Sequence, residues 1–182
     1  MDTKIYSKHV CGLLAQQLVT EQAEVVKHLA VVESIWKTIV EKKTDIIKRI
    51  VNGNFFRIDG IRYLALKLSI EENGDMLVVN ITFGITPDVI GSEEKLTRRE
   101  AELLKEYRDN YDKTIFGNIG EYGGKAVHAA RELKYLKNQI YLLRIKSFNI
   151  DMTKAFEPKF FEESGLLIRD CRGARNLEDY IA

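Results

Sequence analysis

From Leu13 to Val51 the chain contains neither glycine nor proline, and its apolar residues recur at alternating steps of four and three. Cys11, Ala15, Leu18, Val25, Leu29, Val32, Trp36, Ile39, Ile46 and Ile50 fall on one seam, interrupted by Gln22 and Lys43. That is the period of an amphipathic α-helix and not of a strand. A second row, Val19, Val26, Val40 and Ile47, widens the seam beyond a two-stranded coiled-coil stripe. Packing on a sheet or on several helices is therefore expected over a simple dimeric zipper. Unbroken, about 40 residues at about 1.5 Å each span roughly 60 Å, against about 40 Å across for a compact chain of this length. The helix must break, near Thr20 or Thr44-Asp45, or project and offer its seam to a partner, a second copy of the chain included.

After residue 52 the period changes to alternation. Asn73-Gly74 signals a two-residue hairpin, because the favoured turn needs positive φ at both central positions. Pairing about it sets Ile70 opposite Leu77, Leu68 opposite Val79, Leu66 opposite Ile81 and Leu64 opposite Phe83, all on one face. Lys67, Ser69, Asn80 and Thr82 take the other. Asp59-Gly60 makes a similar turn before it, adding a strand over 54–58 and placing Arg57 opposite Arg62, a like-charge pair that argues against perfect pairing. A three-stranded antiparallel meander with one face under the first helix is the expectation.

Thr97 with Glu100 three residues on forms a capping box, and Leu103, Leu104 and Tyr107 give the following helix an apolar side. Four glycines then fall within residues 117–124, before a second helix over 125–138. "QIYLLRIKSFNI" reads as a fourth strand, with continued helix as the alternative for 139–149. The remainder suggests a short helix and a tail. The fold class expected is α+β: a long N-terminal helix on a meander, two helices around a Gly-rich hinge and a fourth strand. One domain over 1–182 accounts for this, comprising a helical arm (1–52), the meander (53–90), helix, hinge, helix and strand (91–150), and a C-terminal extension (151–182).

Composition excludes more than it identifies. With 28 Lys+Arg against 27 Asp+Glu, whole-chain charge gives no pull toward nucleic acid, so an anion site must be local. Cys11 and Cys171 have no Cys or His neighbours at zinc spacing, and fit two thiols in a reducing cytoplasm. The first residues show neither a signal peptide nor a membrane span. No metal and no cofactor is expected.

The local charge lies over 125–146, where Lys125, Arg131, Lys134, Lys137, Arg144 and Lys146 face one acid, Glu132, a balance of six minus one, or +5. On a helical wheel Ala126, Ala129, Ala130, Leu133 and Leu136 form one side. Val127, His128, Arg131, Lys134, Tyr135 and Asn138 form the other. Helix, glycine turn, basic helix and strand is also the order of winged helix-turn-helix DNA readers. A nucleotide P-loop is not expected: Ala126 stands where Ser or Thr is needed, and Ile119 replaces the first glycine. An unspecific anion site at Lys125 and the helix start remains open. The element order matches the core of restriction-type nucleases as well, but the third strand, "MLVVNITFG", has neither the acid nor the lysine that would hold Mg²⁺. Asp109 and Asp112 read as solvated acids, and His9, His28 and His128 share no metal spacing. Arg169, Arg172 and Arg175 offer a second contact patch.

These features lead to a non-enzymatic binding protein that engages a protein or nucleoprotein complex through Lys125, His128, Arg131, Lys134, Tyr135, Lys137, Arg144 and Lys146. An inhibitor or adaptor is meant, of the kind mobile elements direct at host nucleases, the anti-CRISPR class among them. The alternatives are a winged helix-turn-helix-like DNA-binding protein and a nuclease-like fold without recognisable metal ligands.

Overall fold

The structure is a computed structural model describing residues 3–91, 95–116, 119–137, 142–154, 161 and 166–168. In chain order it contains α1 (Thr3–Val51), β1 (Phe55–Ile58), β2 (Ile61–Asn73), β3 (Met76–Ile85), α2 (Asp88–Gly91) and α3 (Arg98–Ile115), then a π-helical turn (Ile119–Gly123), α4 (Gly124–Lys137), β4 (Leu143–Asp151) and β5 (Leu167–Ile168). The class is the expected α+β, and the stretch at 139–149 supplies a strand. By contacts the chain divides into two units, Met1–Glu41 and Lys42–Ala182, with the boundary inside α1 rather than at its end.

In the first unit α1 does not break at Thr20. The Thr20 hydroxyl donates to the Gln16 carbonyl at 3.0 Å, so this β-branched residue bonds back onto its own helix. Every described residue from Gly12 to Ile35 is exposed. Nor does the helix break at Thr44-Asp45. Within the second unit its last turns bury Lys43, Ile47, Ile50 and Val51. The Lys43 ammonium donates to the carbonyls of Met152 at 3.1 Å and Lys154 at 2.9 Å, tying the end of α1 to the end of β4. Burial holds its pKa below the usual lysine value, partly offset by the charge of Asp151.

The sheet has the order β4-β3-β2-β1-β5 and is antiparallel throughout. Asp59 and Gly60 both have positive φ, +52° and +78°, and close the β1–β2 turn as expected. Arg57 does sit opposite Arg62. The two charges are drawn apart: Arg62 lies 3.8 Å over the Phe55 ring, while Arg57 donates to the Gly60 carbonyl at 3.4 Å.

The β2–β3 register differs from the expected one. Asn73 pairs with Met76, so the central turn residues are Gly74 and Asp75. Of the two, only Gly74 has positive φ, +58°, which is the form of hairpin turn with glycine in first place. Ile70 consequently faces Val79 and Leu68 faces Ile81, a slip of two residues from the expected partners. Two is the strand period, so the face of each residue survives the slip. A bulge between Ala65 and Lys67 then changes the count again, leaving Ala65 opposite Phe83 and Leu64 opposite Gly84. Leu64 thus leaves the Phe83 face, and four consecutive residues, Tyr63 to Leu66, are buried.

Both faces are covered around that bulge. On one, Phe56, Phe83, Phe148 and Phe161 form an aromatic cluster with ring centroids 5.3 to 6.1 Å apart. On the other, α3 crosses Gly84, where a Cβ would collide with Leu66 and with the Tyr107 hydroxyl. The α3 start carries the expected capping box: Glu100 N–H donates to Thr97 Oγ1 at 3.3 Å, and Thr97 N–H to Glu100 Oε2 at 2.8 Å. Tyr107 donates to the Ile85 carbonyl at 2.6 Å and packs edge-on against Tyr111.

Among the described residues the buried Tyr111 hydroxyl has no hydrogen-bond partner. Thr86 comes close enough to lower its pKa a little but does not reach bonding geometry, and burial wins, pushing it up to about 12. Burial also raises Tyr107 well above its usual value. Unfolded tyrosines ionise near pH 10 while these two stay neutral, so their contribution is complete below about pH 10 and is lost as pH climbs toward the folded values. Denaturant titrations should show stability falling above about pH 10. Tyr111→Phe should raise stability at pH 8 by about 1 kcal/mol, since it deletes an unpaired buried hydroxyl; a destabilised variant would show that the hydroxyl has a partner after all.

Candidate nucleic-acid and anion interface

α4 presents most of the predicted contact residues. Lys125, His128 and Arg131 are exposed, Tyr135 is 89% exposed and Lys134 is half-buried. Ala126, Ala129, Ala130 and Leu133 form the buried side, as the wheel requires. Two assignments are corrected. Val127 is buried and Leu136 is 47% exposed, because the helix meets α3 on one flank and the sheet on another, which turns the buried arc toward Val127.

The strand residues of the basic stretch lie elsewhere. Lys146 faces Ile81 and Arg144 faces Phe83, so alternation puts both on the sheet face of the phenylalanine cluster. α3 lies against the opposite face, and α4 packs on α3. Arg144 is held there by a hydrogen bond with Tyr63, which raises its pKa further. The run that is one-signed in sequence therefore divides between a helix face and a strand face. The side chain of Lys137, together with Asn138, Arg169, Arg172 and Arg175, lies outside the described residues.

The glycines join two helices as expected, but the described part of the stretch is a π-helical turn leading straight into α4. Within this turn Gly123 is closely packed. A Cβ there would fall on the Leu66 carbonyl at the β2 bulge. Beside it the Tyr122 ring carries Lys113 at 4.8 Å and Lys125 at 5.7 Å from its centroid, within cation–π range. Gly120 and Gly124 are different: a Cβ on either meets nothing within 4 Å among the described residues, and neither has positive φ.

Both open glycines line a cleft of about 520 Å³, together with Lys48, Arg49, Asn52, Lys67, Leu68 and Ile119. Three cations thus share one cavity, and none of its described lining residues is acidic. Among the described residues Lys48, Arg49 and Lys67 form no ion pair. Reading the sequence missed all three. Lys48 and Arg49 look like ordinary complements to a helix C-terminus, and Lys67 like a solvated strand residue; only folding brings them to the glycines. A second cavity of about 230 Å³ lies at Tyr111, lined also by Arg62, Asp88, Arg108 and Asp112, with Arg108 and Asp88 paired at 3.5 Å.

Among the described residues no group of three or more His, Cys, Asp and Glu side chains converges. Asp109 and Asp112 are exposed on α3, and His28 bonds to the Glu24 carbonyl at 2.8 Å within α1. No described helix is long and apolar enough to cross a membrane. No family model, curated protein or solved structure matches the chain.

The glycines separate by substitution. Gly123→Ala should lose about 2 to 3 kcal/mol from overpacking against a backbone carbonyl. Gly120→Ala and Gly124→Ala should each gain about 0.5 to 1 kcal/mol of helix stability. Thermal melts of the three variants decide this, and equal effects at all three would contradict the packing described.

Proposed function

We propose that this chain is a non-enzymatic binding protein, an adaptor or inhibitor, that assembles through its N-terminal helix and engages a protein or nucleoprotein partner through the basic face of α4. One observation carries the reading. Ten aliphatic side chains between Leu13 and Ile35 (Leu13, Leu14, Leu18, Val19, Val25, Val26, Leu29, Val31, Val32 and Ile35) are each more than half exposed.

Scattered surface leucines need no explanation, but a continuous apolar face of this extent marks an interaction surface. Fully burying each such side chain is worth about 1.5 to 3 kcal/mol. So wide a seam suits several helices packed together, and copies of α1 present a matching seven-residue repeat.

For the partner surface the support is chemical. α4 exposes Lys125 and Arg131 with the aromatic Tyr135 on a helix packed against α3, a combination suited to phosphate or acidic side chains. An inhibitor using it would occupy a channel meant for nucleic acid.

Two measurements test these halves separately. In sedimentation equilibrium the protein should be oligomeric, and Val25→Glu with Leu29→Glu should return it to monomer with its melting transition for the second unit unchanged. A monomeric wild type would sink the assembly reading. Random duplex, single-stranded DNA and RNA should be titrated at two salt concentrations beside an Arg131→Ala, Lys134→Ala, Lys137→Ala variant. Engagement of nucleic acid predicts salt-sensitive binding with a salt slope smaller by up to about 3 in the variant. Absence of binding directs the search to protein targets, with the same variant as control in pull-downs.

A further inference from the structure

We infer that the cleft between the last turn of α1, β2 and the π-helical turn is a binding site for a phosphorylated ligand of nucleotide size. The inference goes beyond the reading of the arm and of the α4 outer face, and shares no residue with either.

Its basis is a coincidence of two features in one cavity. Lys48, Arg49 and Lys67, each reaching solvent, bring three positive charges to one cavity with no acid among its described lining residues, an arrangement that favours an anion there. Gly120 and Gly124 line the same space. Among the described residues their usual reasons for being glycine are missing, since φ is not positive at either and a Cβ would meet no atom within 4 Å. Glycine weakens a helix, so two on one wall of a cationic cavity are best explained by an occupant that approaches the backbone. By contrast Gly123, between them, is accounted for by its packing on Leu66.

The remaining lining narrows the ligand class. A volume of about 520 Å³ is far more than a lone phosphate needs, and falls in the range of small-molecule sites. Three cations match the charge of a di- or triphosphate. Leu68 and Ile119 supply an apolar wall for a flat base or a sugar, and the Asn52 amide supplies both a donor and an acceptor. The shared chemistry is a run of phosphates next to an uncharged ring, which a free nucleotide or the end of a nucleic-acid strand would both present.

Calorimetric titration of the full chain with a nucleoside triphosphate, pyrophosphate and a short single-stranded oligonucleotide tests this, at low and at physiological salt. The expected result is saturable binding of the nucleotide, tighter than pyrophosphate. It should weaken at least about tenfold in Lys48→Ala/Lys67→Ala and in Gly120→Leu, which fills the cleft without changing charge. A Lys37→Ala/Lys105→Ala variant, with the same charge loss elsewhere, should bind as wild type does. If the oligonucleotide displaces the nucleotide and is equally sensitive to both cleft variants, the source is a nucleic-acid strand. Should Gly120→Leu fail to fold, the double lysine variant decides alone. No saturable binding of any probe by wild type, or binding that survives the cleft substitutions, overturns the inference.

Discussion

The arrangement of the second unit depends on one close contact, between the backbone at Gly123 and the carbonyl of Leu66. Leu66 stands in the β2 bulge, where the strand is bent and its ladder interrupted, and the π-helical turn comes down onto it with no side chain between. Bulge and glycine fit each other. From that contact the direction of α4 follows, and with it the set of residues that α4 buries against α3 and the set it leaves to solvent. The same approach draws Ile119, Gly120 and Gly124 to Lys67 and Leu68 on β2, so the cleft is a by-product of how helix and sheet come together.

The two units obey opposite rules of burial. Around the bulge both sheet faces are buried, and Tyr63, Leu64, Ala65 and Leu66 lose contact with water in sequence. A strand covered on both sides has no polar face, which is why its alternation disappears there. Along Leu13–Ile35 the reverse holds, and aliphatic side chains remain in water. In proteins most helical stability comes from packing of an apolar side rather than from propensity. Lys43 marks the change within α1: it sits on the seam, yet its ammonium turns to two backbone carbonyls at the end of β4.

Several elements were legible because their signals are local. The Thr97 and Glu100 box, the Asp59-Gly60 turn and the uninterrupted helical run each depend on residues within a turn of one another. The hairpin shows how such a signal can be right in kind and off in detail. Either Asn73-Gly74 or Gly74-Asp75 can form a two-residue turn, and the choice moves every partner by two while leaving each side chain on its face. The bulge carries no comparable signal, since Ala-Leu-Lys reads as ordinary strand, and its effect on Leu64 could not be anticipated.

By itself the sequence determined the α+β class, the helical arm, the hairpins and the position of the basic helix, all of which follow from periodicity and turn chemistry over short distances. Only the tertiary structure decided that Arg144 and Lys146 part company with the α4 cations, that Gly123 is a packing residue while Gly120 and Gly124 are not, and that Lys48, Arg49 and Lys67 share a cavity. The physical reason is distance along the chain. Lys48 and Gly120 are brought together by the sheet and by one bulge, through contacts that no local pattern encodes.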